Sequence, residues 1–342
     1  MQPPDSNSNS AQTQPTASLS SDAQVGKLNS QQTGQPNGAA AQLESRLKNH
    51  TPDAPSSQSL ITIFALPKSF GRDTDLIQKN AIRSWARLAP AIEVLLIGDE
   101  DGIAEAAEEL GVRHAGGVQF NQHGTPLVSS AFEIAHRETA SPFLAYCNCD
   151  VILMKDFVRA IEILAADQTL DQFVAFGQRT DLKVECEIRF DQLIQIEQLL
   201  DDCQKNGVLS SNVCKEYFVF NRELYNEVPP FAIGRGNWDN WMIHFAKQSN
   251  WPVIKISELV TAIHQAHDYR HTGAGRFKCY VSGEEAQENL RLAGGRNLIS
   301  GSTATHRLSK NGLAREPNLL LNTAFWADIP RFVRLMLNML LG

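Results

Sequence analysis

Two oxygen-bearing side chains two residues apart, Asn148 and Asp150, interrupt an otherwise apolar stretch that reads YCNCDVIL over residues 146–153. Phe143 to Tyr146 has the aromatic and aliphatic content of a buried strand, and a second apolar run begins at Val151. Alternate residues of a strand share a face, so Asn148 and Asp150 would point one way and Cys147 and Cys149 the other. Both oxygens could then approach one hard cation at the end of a central strand, where open α/β sheets place their ligands. The competing reading makes Asp150 the turn residue that ends the strand, a place where Asp is common. The octet by itself leaves both readings open.

Other residues with chemical potential lie further on. His264, His267 and His271 fall within AIHQAHDYRH, where imidazoles could join a metal site or simply be satisfied by backbone carbonyls at a sheet edge. Asp239 stands at the start of an expected helix in GNWDNW, where a carboxylate serves equally as a general base or as a first-turn partner of the helix dipole. Trp238 and Trp241 flank it and offer either a stacking surface for a sugar ring or ordinary core packing. Arg179 and Arg235 carry guanidinium groups suited to paired oxygens, with structural ion pairing as the alternative.

These residues need a scaffold, and 342 residues suffice for one large domain or two small ones. The net charge is −7 without a basic block, which argues against a nucleic-acid partner. Six cysteines, at 147, 149, 186, 203, 214 and 279, show neither a CxxC pair nor a disulfide-framework spacing. A reducing compartment, hence a cytoplasmic location, is expected. The first residues lack the charged start and apolar core of a secretory signal, and no run has the length to cross a bilayer.

Residues 1–57 are rich in Gln, Ser, Asn and Pro, and are expected to be disordered because they cannot bury enough surface to offset backbone entropy. Order is expected from Leu60 to Leu66 as a strand, followed by a loop with Pro67, Ser69 and Gly71 and a helix over 73–88. A strand at Ile92 to Ile97 and a helix running to about Leu110, capped by Asp101 or a neighbour, complete a strand–helix repeat that argues for parallel strands. Thr125-Pro126 reads as a helix start, and Asp156 as the cap of the helix after the octet. Phe173 to Gly177 and Lys183 to Arg189 are expected as strands, Phe190 to Lys205 as a helix, and Tyr217 to Phe220 as a buried strand. A loop over 229–237, a helix over 238–248, extended structure over 252–260 and a helix over 284–292 follow. Residues 330–341, PRFVRLMLNMLL, are expected to form a helix apolar around most of its surface, which must be covered by the domain, by a second copy or by a membrane surface.

From about Ser59 to His271 the chain resembles the nucleotide-diphospho-sugar transferases, the glycosyltransferases of GT-A fold. The resemblance rests on YCNCDVIL, on AFGQRTDL at 175–182, on PPFAIGRGNWDNWMI at 229–243 and on AIHQAHDYRH at 262–271. It implies an α/β fold with a Rossmann-like, mixed and mainly parallel sheet over 58–275; the residue pattern beyond it reads as a helical C-terminal extension over 276–342. It also implies transfer of a sugar from a nucleotide-diphosphate donor, a UDP-sugar first of all, to a hydroxyl on a saccharide, glycolipid or protein. Mn²⁺ or Mg²⁺ would be held by Asp150, with help from Asn148 and a later histidine, His267 being favoured. Asn148 departs from the DxD motif of such enzymes, since an amide adds no charge. Ala65, Leu66, Pro67 and Asp99 would meet the base and ribose, Arg179 and Arg235 the diphosphate or acceptor, and Asp239 the acceptor hydroxyl.

Three other functions compete. A sugar-phosphate nucleotidyltransferase would need a Gly-rich loop with a basic residue after the first strand, and none is evident. A zinc-dependent hydrolase could use His264, His267 and His271 with Asp268. A catalytically silent sugar-nucleotide binding module is suggested by Asn148.

Overall fold

A strand that is apolar on both faces folds only where both faces are covered, and Ile61–Ala65 (β1) is buried along its whole length. The computed structural model describes residues 59–71, 74–210, 214–267, 278–295 and 304–316. All of them fall in the compact unit Ser57–Gly342. After β1 come α1 (Asp75–Ala86), β2 (Ile92–Ile97), α2 (Ile103–Leu110), β3 (Arg113–Ala115), α3 (Val128–Glu138), β4 (Phe143–Cys147) and β5 (Val151–Leu153). Then follow α4 (Lys155–Ala165), β6 (Val174–Phe176), β7 (Thr180–Leu182), α5 (Leu193–Asn206), β8 (Val208–Leu209) and β9 (Tyr217–Asn221). The remainder is α6 (Trp238–Gln248), β10 (Val253–Lys255), β11 (Ala262–Gln265), a π-helical turn (Lys278–Ser282), α7 (Glu284–Leu292), β12 (His306–Ser309) and β13 (Gly312–Arg315).

Nine of these strands form one mixed sheet in the order β13-β12-β10-β6-β9-β4-β1-β2-β3. β9 runs antiparallel to both β4 and β6, and β13 antiparallel to β12, while the other neighbours are parallel. Strand alternation sorts side chains into two layers. Ile61, Ile63, Ala65, Ala145 and Cys147 pack with residues of α1, α2 and α4, whereas Phe64, Leu144 and Tyr146 pack with residues of α3 and α6. On the second face Phe132 stacks on Phe220 at 5.5 Å and meets Phe64 edge-on at 5.0 Å. The result is the expected mixed, mainly parallel α/β architecture.

A second, four-stranded sheet in the order β5-β11-β7-β8 closes over a small core that includes Ile152, Leu182, Phe190, Leu199 and Ile263. The polypeptide crosses from the large sheet to the small one at Asn148-Cys149-Asp150, where the Val151 amide bonds to the Asn148 carbonyl. β4 therefore ends at Cys147, and 148–150 is a turn rather than the continuing strand that would place Asn148 and Asp150 on a common face. The reason is topological: the backbone must change partners here, from β9 to β11.

Other local expectations shift for similar reasons. α2 starts after Gly102, a left-handed residue, rather than on an Asp101 side-chain cap. Thr125-Pro126 precedes α3 without starting it, because Pro126 and Leu127 form bridges to Phe120 and Ala232. Asp156 lies in the first turn of α4 and accepts the Thr261 amide instead of capping its own helix. Residues 183–189 are irregular, and the strand is the preceding Thr180–Leu182. β12 and β13 extend the large sheet beyond β10. The tail 1–57 and the apolar segment 330–341 lie outside the described residues, as does His271. No helix among the described residues is long and apolar enough to cross a membrane.

Candidate active site at the junction of the two sheets

The carboxyl ends of β1 and β4, the turn at 148–150 and the start of α6 surround a cavity of about 840 Å³. Its floor is set by register. In β11, His264 lies opposite Val151 of β5 on one side and Asp181 of β7 on the other. The Gln265 amide donates to the Asp150 carbonyl at 3.0 Å, fixing β11 against the turn. As a result His264 Nε2 is 3.4 Å and His267 Nε2 3.2 Å from Asp150 Oδ2. The candidate ligand atoms of Asp150, His264 and His267 all lie within 4.8 Å of one another. Burial works to raise the Asp150 pKa, but hydrogen bonds and charge from His264 and His267 prevail and hold it well below the usual carboxylate range. Its second oxygen, Oδ1, is buried without a protein partner. One carboxylate and two imidazoles, with an unspent buried oxygen, form a donor set that fits a divalent cation.

Asn148 sits nearby with its amide spent otherwise. Its Oδ1 accepts the Tyr146 hydroxyl at 2.7 Å, and its Nδ2 donates to Glu216. Glu216 pairs in turn with Arg179, whose Nε lies 2.9 Å from Asp181 Oδ1. That same oxygen is 2.6 Å from His264 Nδ1. Tyr146, Asn148, Glu216, Arg179, Asp181, His264 and Asp150 thus form one continuous polar chain, and all of them but Asp181 line the cavity. Burial, then the neighbouring Asp150 charge, raises the Glu216 pKa against the pull of Arg179.

The far wall comes from the start of α6 and the loop before it. Asp239 lines the cavity from the first turn of α6, with its carboxylate 3.9 Å from the ammonium of Lys215. Lys215 donates to Asn240 at 2.8 Å, and burial lowers its pKa against the charge of Asp239. Trp238 lines the cavity and packs edge-on against Tyr146, whereas Trp241 is stacked on Phe245 in the core. Gly236 is required here, since a Cβ would fall 2.5 Å from the Tyr280 carbonyl.

Arg235 faces the cavity with its guanidinium held by Glu285 at 2.6 Å, so it reaches the site already paired. Burial acts to raise the Glu285 pKa, yet hydrogen bonds with Asn121, Thr125 and Arg235 outweigh it and leave it lowered. A folded-state pKa below the unfolded value contributes stability that is full above about pH 4.3 and is lost as pH falls through the folded value. Glu285→Gln is therefore expected to cost about 1–3 kcal/mol at neutral pH. Thermal unfolding of both proteins between pH 7 and pH 3 checks this, with the gap between them closing as the pH drops.

Among the nucleotide contacts expected from sequence, Leu66 and Pro67 line the cavity. Ala65 does not, because its side chain belongs to the core beneath. Asp99 is exposed and turned away, its carboxylate accepting the Gly117 amide at 2.8 Å; Glu100 takes the place on the cavity wall. Lys68, three residues past β1, also lines the cavity, so a basic residue does follow the first strand. Its backbone is clamped by Gln78 through bonds of 2.7 and 3.0 Å. Glu216, Lys215 and Asp181 escaped sequence reasoning. Their signal was the charged pair directly ahead of YFVF and the carboxylate within RTDL, neither of which has a distinguishing spacing.

No protein-family model and no curated protein matches this chain. Among solved structures, it is similar to glucosyl-3-phosphoglycerate synthase from Mycobacterium tuberculosis in complex with Mg²⁺ and uridine diphosphate. The identity is 17%, the TM-score 0.43, and the match covers 77% of this chain and 85% of that one. The same synthase with Mn²⁺, uridine diphosphate and glucosyl-3-phosphoglycerate matches at 14% identity and TM-score 0.43, over 84% of this chain and 94% of that one. The synthase with no ligand named matches at 17% identity and TM-score 0.43, over 74% and 84%.

Proposed function

We propose that this chain transfers a sugar from a nucleotide-diphosphate donor, a UDP-sugar in the first instance, to a hydroxyl-bearing acceptor, assisted by a divalent cation. One observation carries the reading: Asp150, with Oδ2 beside the Nε2 atoms of His264 and His267 and Oδ1 buried without a protein partner, on the wall of a cavity large enough for a nucleotide sugar. Asp150, His264 and His267 would hold the cation. Two imidazoles in the donor set favour Mn²⁺ over Mg²⁺, which prefers oxygen ligands and water. When bound, such a cation stabilises negative charge on a departing diphosphate.

The chain's own residues would do the rest. Leu66 and Pro67 offer an apolar wall to the base, and Lys68 a positive charge to the diphosphate. Asp239 would accept the proton of the acceptor hydroxyl, with Lys215 behind it balancing its charge. Asn148 and Arg179 line the cavity as well, where they would meet the donor while holding Glu216 in place.

The Asp150, His264 and His267 donor set also suits a zinc hydrolase, which is the second reading. Calorimetric titration with UDP, with and without Mn²⁺, separates the two. Mn²⁺ is expected to tighten UDP binding at least about tenfold, since the diphosphate oxygens and the cation attract each other directly. Tightly held zinc with no nucleotide affinity would overturn the transferase reading. A screen for hydrolysis of several nucleotide sugars would then name the donor.

A further inference from the structure

We infer that Asp181 is the positioning residue of this metal centre, holding His264 in the tautomer and orientation that present Nε2 to the cation. The inference rests on the reading of Asp150, His264 and His267 as ligands. Its basis is the small sheet. β11 lies between β5, which follows directly from Asp150, and β7, which carries Asp181; the register sets His264 opposite Asp181. The His264 Nδ1 to Asp181 Oδ1 distance is 2.6 Å, and His264 is only 3% exposed, so water does not compete for that nitrogen.

An ionised carboxylate only accepts hydrogen bonds, so Nδ1 carries the proton. Nε2, on the side of Asp150, is then the nitrogen that gives up its proton to present a lone pair when a cation binds. A carboxylate behind a ligating imidazole fixes ring orientation and raises the basicity of the ligating nitrogen. Charge balance for Arg179 is a weaker account of Asp181, because Glu216 already pairs with that guanidinium. Arg179 instead steadies Asp181 from behind, with Nε 2.9 Å from the oxygen that meets His264.

The test uses the full chain with Mn²⁺ as the probe. Asp181→Leu is expected to weaken Mn²⁺ binding about 10- to 100-fold by calorimetry. Asp181→Asn should lose less, since its amide oxygen still accepts from Nδ1, and it preserves the shape of the site should the leucine variant fold poorly. UDP affinity measured without metal should stay unchanged in both. Nitrogen-15 spectra of the metal-free chain should show Nδ1 of His264 protonated in the wild type, and that protonation diminished in Asp181→Leu. Full-strength Mn²⁺ binding in both variants would overturn the inference alone. Absence of Mn²⁺ binding in the wild type would overturn the metal reading and this inference with it.

Discussion

Asp150→Asn is expected to lower donor turnover by about 10²- to 10³-fold, the range seen when a group that stabilises transition-state charge is removed. The substitution keeps the size of the side chain but withdraws the one negative charge among the three candidate ligands. His264 and His267 would remain in place, since β11 is fixed by backbone pairing to β5 and β7 and by the Gln265 bond to the backbone carbonyl at 150. The amide would also have to fill a buried position where Asp150 Oδ1 has no protein partner. Single-turnover hydrolysis of a UDP-sugar in saturating Mn²⁺, alongside the Mn²⁺ dissociation constant, measures the effect. Turnover within a fewfold of wild type would show that Asp150 does not hold the cation.

Glu216→Ala should destabilise the fold by about 3–5 kcal/mol, because deleting one member of a buried ion pair strands the other. Arg179 and Glu216 are each 8% exposed. Asp181, 2.9 Å from Arg179 Nε, remains as a partner and places the loss toward the lower end of that range. The raised pKa of Glu216 carries a further consequence: burial costs the carboxylate more than Arg179 returns. Replacing both residues, as in Arg179→Met with Glu216→Leu, should thus recover most of the stability lost by the single change. Urea unfolding midpoints of the three proteins decide the matter, and a double variant as unstable as Glu216→Ala would refute it. Activity should not return with stability, because the double variant also removes one of the two side-chain partners that hold Asn148 and one of those that hold Asp181.

Much of the scaffold was legible beforehand. LITIFAL, IEVLLI and YFVF are predominantly apolar without alternation, and in the structure each lies in the interior of the large sheet, buried along most of its length. The amphipathic spacing of Ile77, Ala81 and Trp85 likewise corresponds to α1. Asp150 and His267 stood out because a carboxylate inside an apolar run and an imidazole in a histidine-rich segment are uncommon. Asp99 misled for a simple reason: a Gly-Asp-Glu-Asp-Gly loop offers several carboxylates, and only backbone torsions determine which one faces the cavity. Glu100 does, while Asp99 accepts the Gly117 amide.

By itself, then, the order of residues determined most of the strand and helix segments and the layered α/β class, and singled out Asp150 as a candidate, since each depends on neighbours within a few positions. Tertiary structure decided which distant groups meet there. His264 reaches Asp150 only through the β5–β11 register, Asp181 through β7, and Glu216 through the antiparallel insertion of β9 beside β4. Those pairings join residues tens of positions apart, and a shift of one residue in any of them would turn the side chain to the opposite face. Periodicity records which face a residue takes within its own strand; it holds no information on which strand will lie alongside.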